Sequence, residues 1–303
     1  YHLWSQTYDR TLDDIFAVQD EISQSIISAV APEAMGAELK RSQSKRPENL
    51  GSWDMVLRAR WHLSKGTRED NDAGRRWLED AIGMTPDLSD AWSTLAYAEL
   101  QAMLHWWRTD TRDAIAAATR AARKAVSIDE NHASAHSMLG MAELFGRNYD
   151  DSARHLERAI RLNPNLASAY GVLAALHGVA AEYDAARAAA DKAVALSPRD
   201  PGKAFWLGGV GIAAYLSGAY EDCLAVCADV LREHPGFASC MRQETASLGM
   251  LGRSEEAAAS LSRLLERMPG LTVVQVRGIV PIRDPKDHEH WLEGLRRAGL
   301  PEE

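Results

Sequence analysis

The chain has 303 residues, 46% of them hydrophobic, with 34 basic and 43 acidic side chains giving a net charge of −9. That is enough for one elongated core or two compact ones. An acidic balance without a run of like charges excludes the clustered Lys and Arg of a nucleic-acid footprint, and three irregularly spaced cysteines exclude a disulfide framework. A reducing, cytoplasmic compartment is the expectation, or a periplasmic one if a membrane helix lies upstream. The opening, "YHLWSQTYDR", has no Met and sets Tyr1, Leu3, Trp4 and Tyr8 close together. A mobile tail is usually small and polar, so this stretch reads as the last strand of a domain lying upstream, and the chain as a fragment of a longer protein. Such an orphaned apolar strand invites self-association, a homodimer included.

"TLDDIFAVQDEISQSIISAV" follows. Leu12, Ile15, Phe16, Gln19, Ile22, Ile26 and Val30 make one helical stripe. Asp13 and Asp14 suit its start as caps favoured by the helix dipole, not as an acid/base pair. Pro32 kinks or restarts the helix, and "RSQSKRPEN" is a polar linker.

Beyond residue 48 a repeat dominates. "LEDAIGMTPDLSDAW", "ATRAARKAVSIDENHASAH", "LERAIRLNPNLASAY" and "AADKAVALSPRD" each place a small residue five positions before a turn residue, then start a new helix. The turn residues are Pro86, Glu130, Pro164, Pro198, Pro235 and Pro269, separated by 44, 34, 34, 37 and 34 residues. Paired helices approach closely only where side chains are small. Ala96, Gly140, Ala174 and Gly211 supply such positions on first helices, and Ala118, Ser152, Ala186, Cys223 and Ala257 on second helices. Ala81, Ala125, Ala159 and Ala193 let the next pair dock. Tyr149, Tyr183 and Tyr220 open second helices, and Gly218 and Gly252 sit where a positive φ is usual. "SKGTREDN" reads as a long loop inside the first repeat, and Leu264 stands where Ala is expected. The uncharged stretches Leu162 to Ala181 and Ala204 to Tyr220 hold too much Gly, Ser and Asn for membrane spans and read as buried helices. At the far end, "IVPIRDPKDHEHWLEGLRRAGLPEE" reads as a loop with two prolines, then an amphipathic helix with Trp291, Leu292 and Leu295 on its apolar face and Gly299 as its stop.

The period of 34 residues with this layout resembles the tetratricopeptide repeat. The resemblance implies an all-α, right-handed superhelix of about six helix-turn-helix repeats over 48–270, preceded by a leftover strand and helix (1–47) and closed by a loop and capping helix (271–303). A single pair cannot bury its apolar face, so stacking makes the core. "HLWSQTYDRTLDDIFAVQDEI" is similar to the segment that joins a TolB-like domain to these repeats in bacterial signalling proteins. "RDPKDHEHWLEGLRRAGLPE" is similar to the carboxy-terminal stretch of the branch that begins with a class III adenylate/guanylate cyclase. The resemblance implies a non-catalytic interaction region of a cyclase, whose own metal-binding aspartates are absent from this chain. A second parent suits the same repeats, a winged-helix transcriptional regulator.

Other motifs weigh towards structure. "WLGGVGIAA", with Gly209, Gly211 and Ala214, imitates a dinucleotide fingerprint but lies in a repeat helix without a preceding strand. Cys223 and Cys227 share a helical face but occupy small-residue positions, which favours inert thiols over a metal pair. His288 and His290 are two apart and point to different faces, a solvated helix start and not a metal site. No cofactor is implied, and no catalytic constellation is supported. In the insertion "LHWWRTDTRD", Trp106 and Trp107 point about 100° apart on a helix. The longer helix is expected to fold over repeat one, while Trp106, Trp107 and Arg108 are candidates for a second protein contact.

The inner face of the first helices carries Asp90, Ser93, Tyr97 and Gln101; Ser134, Ser137, Met141 and Phe145; Ser168, Gly171, Ala175 and Val179; and Phe205, Gly208, Ile212 and Leu216. None is Lys or Arg, the donors a carboxylate needs. The expectation is a groove that takes an apolar helix or extended segment of a protein partner through Tyr97, Met141, Phe145, Phe205 and Ile212, and that refuses acidic carboxy-terminal peptides. The competing expectation is that these residues pack between repeats or that the groove holds the protein's own chain.

Overall fold

The structure, a computed structural model, describes residues 38–42, 50–108 and 110–303. The expected opening strand, the helix over 12–30 with Asp13 and Asp14, and most of the linker lie outside the described residues. From residue 52 onward, fourteen helices follow one another without a strand among the described residues. Six antiparallel pairs come first: α1 (Ser52–Ser64) with α2 (Arg68–Met84), α3 (Ser89–Leu104) with α4 (Thr111–Ile128), α5 (Ala133–Phe145) with α6 (Tyr149–Leu162), α7 (Ala167–Val179) with α8 (Tyr183–Leu196), α9 (Lys203–Leu216) with α10 (Tyr220–Glu233), and α11 (Ala238–Met250) with α12 (Ser254–Arg267). The short α13 (Val273–Ile279) and α14 (Pro285–Arg297) complete the chain.

Small residues set the spacing inside each pair. Ala96, Ala118, Ala174, Ala186 and Cys223 are fully buried. A Cβ on Gly140 would meet the Leu156 side chain at 2.9 Å, and Ser152 Oγ donates to the Gly140 carbonyl at 2.7 Å across α5 and α6. Ala81, Ala125, Ala159 and Ala193 are also fully buried, and Val230 and Leu264 take that place in the last two pairs, equally hidden. The larger side chains there are the local departure from the repeat, absorbed by packing.

Each turn inside a pair holds one residue at positive φ: Gly66, Trp106, Arg147, Ala181, Gly218 and Gly252, between 60° and 80°. Gly218 and Gly252 stand where the pattern predicts glycine. Arg147 occupies the same strained place without glycine's freedom.

Three expectations need correction. The first repeat has no long loop: only Lys65, Gly66 and Thr67 separate α1 from α2. Thr67 Oγ1 accepts from the Asp70 N–H at 3.1 Å, and the Asp70 carboxylate accepts from His62 at 2.7 Å and Lys65 at 3.0 Å. These bonds pull the Asp70 carboxyl down to about 2 and let the polar "REDN" open a helix. Asn71 is buried there because its amide donates to the Ala98 carbonyl and to Gln101 Oε1. The inserted residues in the second repeat do not fold over repeat one; they lengthen α3 and α4 to 16 and 18 residues, against 13 and 14 in the third repeat. Finally, His288 and His290 are not solvated. His288 is buried, and His290 Nε2 lies 2.7 Å from the Tyr220 hydroxyl.

First helices also pack on one another. A Cβ on Gly209 of α9 would lie 2.8 Å from the backbone of Ala175 in α7, and one on Gly178 would run into the Gly209 carbonyl. The glycines of the dinucleotide look-alike therefore serve close helix contact. Cys223, Cys227 and Cys240 are buried and free, with Cys227 Sγ donating to Gln243 Oε1 at 3.4 Å. The neighbouring thiols and burial raise the Cys227 pKa. Among the described residues no helix is long and apolar enough to cross a membrane, and no group of three or more His, Cys, Asp or Glu could hold a metal ion.

Candidate partner-binding groove

The inner faces of α3, α5, α7, α9 and α11 curve around a common hollow. Phe145 at the end of α5 faces Phe205 at the start of α9, with ring centres 6.2 Å apart. Met141 and Ile212 lie deeper and are almost wholly buried. Tyr97 is part of the core between the first two pairs, where its hydroxyl accepts from Gln101 Nε2 at 3.4 Å. Burial, and secondarily Asp200, pushes its phenol up to about 12. Of the five predicted lining residues, Tyr97, Phe145 and Phe205 keep partial exposure, and Phe145 and Phe205 line this part of the hollow.

The insertion turns inward. Positive φ at Trp106 ends α3 and sends its indole into the hollow. Trp107 stacks on His105 at 4.6 Å, and the His105 ring meets Phe237, ahead of α11, edge-on at 6.2 Å. The second repeat thus touches the sixth across the groove. Burial, with Arg267 and His234 adding to it, lowers His105 to about 4, so the ring is neutral at pH 7. Arg108 is engaged within its own repeat, paired with Glu99 and Asp113.

The groove holds the protein's own chain. The last turn of α13 and the extended residues 280–283 that follow it cross the groove together as a strap. The Arg147 guanidinium donates to the carbonyls of Arg277 and Val280, both at 3.0 Å, and of Ile282 at 3.4 Å. The Tyr149 hydroxyl reaches the carbonyls of Pro281 and Ile282 at 3.2 and 3.3 Å. The Arg283 N–H donates to the Val179 carbonyl at 2.9 Å, while its side chain pairs with Asp150 at 3.4 Å. Ile279 and Ile282 point down and are buried.

Beneath the strap lies a cavity of about 60 Å³. Met103, Leu144, Phe145, Phe205 and Ile212 make its apolar walls, and α11 contributes Ser239, Arg242 and Gln243. Arg242 is the groove cation that a reading of repeats two to five misses. The same register carried 34 residues past Phe205 and Gly208 arrives at Ser239 and Arg242, so the signal was available in the sixth repeat.

Paired helices of this spacing, stacked into a superhelix, define the tetratricopeptide fold, and solved structures agree. The chain superposes on the APC/C hetero-tetramer Cut9-Hcn1 with a TM-score of 0.60 at 13% identity, over 95% of this chain and 50% of that one. It superposes on TTC0263, a thermophilic TPR protein of Thermus thermophilus, with a TM-score of 0.50 at 16% identity, over 65% of this chain and 99% of that one. No protein-family model matches the chain. In sequence it is 28% identical over 151 residues to the "Putative adenylate cyclase 3" of Rhizobium meliloti (strain 1021). That match covers half of this chain and 26% of the relative's length.

Proposed function

We propose that the chain is the non-catalytic, protein-binding region of a larger cytoplasmic signalling protein, and that its parent is a class III adenylate/guanylate cyclase. In this reading residues 1–47 end a TolB-like domain and its connecting helix, 48–270 are the binding repeats and 271–303 their cap. The strap carries the binding role. Arg147 and Tyr149 grip it through main-chain carbonyls, which every extended segment presents, while Ile279 and Ile282 fill the space below. Such a groove suits a partner segment that offers free main-chain carbonyls and apolar side chains three positions apart, as Ile279 and Ile282 are, and the strap is the occupant that a partner replaces. Phe145 and Phe205 are the contacts a partner reaches first. The similarity to the cyclase of Rhizobium meliloti supports the parent.

A peptide array read on the parent chain and on Ile282→Ser, which weakens the strap and leaves Arg147 and Tyr149 in place, tests the groove. Extended apolar peptides are expected to bind at least about tenfold more tightly once the strap loses its buried anchor, and Phe145→Ala is expected to weaken them. Preferential capture of acidic carboxy-terminal peptides, surviving Phe145→Ala and Met141→Ala, would sink this reading. Residues 1–303 alone are expected to turn over no ATP, whereas the intact parent is expected to form a cyclic nucleotide. DNA binding by the intact parent without cyclase activity would favour the transcriptional regulator.

A further inference from the structure

Arg242 is 5% exposed and lines the cavity below the strap. Its Nη1 meets only the Met268 thioether at 3.5 Å, and its Nε has no hydrogen-bond partner. A thioether is a weak acceptor. Arg60, Arg75, Arg108, Arg123 and Arg263 each have a carboxylate within hydrogen-bond reach, and Arg242 has none among the described residues. Burial lowers it to about 10, which leaves it charged at neutral pH. An uncompensated buried charge is among the costliest features a fold can carry.

Its surroundings say what would compensate it. Ser239 lies one turn away on α11; its Oγ accepts from Gln243 Nε2 at 3.4 Å and keeps its own proton to donate. Gln243 itself is committed, donating to the Gly208 carbonyl at 2.9 Å and accepting from Cys227. One guanidinium and one hydroxyl suit a single negative charge. The rest of the wall is apolar, which suits a short hydrocarbon tail and not a sugar or a phosphate ester. At about 12 Å³ for each water-sized group, the cavity of about 60 Å³ holds a molecule of roughly five such groups.

We propose that this cavity is a binding site for a small aliphatic carboxylate, with the carboxylate on Arg242 and Ser239 and the tail between Phe145, Phe205 and Ile212. Ile279, Val280 and Pro281 of the strap form part of the wall, so the ligand and the strap hold one another in place. The site does not depend on the groove's taking a protein partner.

Butyrate is the probe, with butyramide as the control, in a thermal-shift titration and a calorimetric titration of the full chain. Butyrate is expected to raise the melting temperature saturably, and butyramide to bind at least about tenfold more weakly, because only the acid supplies a charge-assisted bond. Arg242→Met is expected to lose butyrate binding while melting no lower than the parent, since it removes a charge that has no internal partner. Phe145→Trp, which fills the cavity and leaves Arg242 in place, is expected to block butyrate as well. Equal binding of acid and amide, or butyrate binding that survives Arg242→Met, would overturn the proposal. So would a parent that ignores butyrate alongside an Arg242→Met chain that melts several degrees lower, because Arg242 would then be serving an anionic group of the protein itself.

Discussion

The cap and the strap that leads into it are both tied to distant repeats, but by different means. In the cap, α14 lies on α11 backbone to backbone: a Cβ on Gly249 would collide with the Gly294 carbonyl, and Trp291, Leu292 and Leu295 are at most 1% exposed. The Tyr215 hydroxyl, itself buried, donates to the His290 carbonyl at 3.0 Å. In the strap, by contrast, the ties other than the Arg283 N–H on the Val179 carbonyl are side-chain donors on carbonyls near the surface, and Arg283 keeps 53% of its side chain exposed. Removing the cap uncovers a large apolar area; removing the strap exchanges hydrogen bonds with water and uncovers two isoleucines. Regions of the second kind open at a fraction of the global unfolding energy. The cap is therefore a fixed end of the solenoid and the strap a removable one.

The largest expected effect is on the cap. Trp291→Ala should cost about 3–5 kcal/mol, as for a fully buried indole, seen as a large drop in the denaturation midpoint. A loss below about 1 kcal/mol would mean that α14 is not part of the cooperative core. Gly249→Ala should cost about 1–3 kcal/mol, because the methyl group has only the α14 backbone to displace. Its signature is faster hydrogen exchange in α14 together with α11, and exchange confined to α14 would weaken the backbone argument.

A pH effect of intermediate size belongs to the junction between the two regions. Burial, reinforced by Arg147 and Arg277, lowers His288 to about 4 from an ordinary 6.5, while Glu289 acts weakly the other way. Between these values the unfolded chain binds a proton that the folded chain refuses. The contribution of His288 is thus complete above about pH 6.5 and shrinks as the pH falls towards 4. Melting curves at pH 7 and pH 5 should separate more for the parent than for His288→Gln. Part of the separation should remain in the variant, because His105 is lowered in the same direction. Identical separations would show that His288 is not the group responsible.

The smallest effect on stability is expected at the strap. Arg147→Gly removes the three bonds to Arg277, Val280 and Ile282 but relieves a positive φ of 62° at a place where the fifth and sixth repeats use glycine. The two changes oppose one another, and the net should lie within about 1 kcal/mol. Amide exchange over Ile279 to Arg283 should nevertheless rise while α14 stays protected. If both rise together, the strap and the cap are one unit and the contrast between them fails.

What the sequence determined by itself is everything that repeats. The 34-residue period, the buried alanines, the tyrosines that open α6, α8 and α10 and the glycine turns at 218 and 252 are dictated by contacts within a helix pair or with the next pair. Such contacts recur along the chain and leave a periodic trace. Arg242 was legible in that same trace as a groove position, though not as a charge without a partner. What only the tertiary structure decided lies where the curved stack brings unrelated parts together: the strap on Arg147 and Tyr149, some 130 residues away in sequence, His105 against Phe237, His288 buried and His290 held by the Tyr220 hydroxyl instead of solvated. None of these contacts recurs, so no spacing announces them. They follow from the small rotation each repeat adds to the last, which accumulates until the sixth pair faces the second.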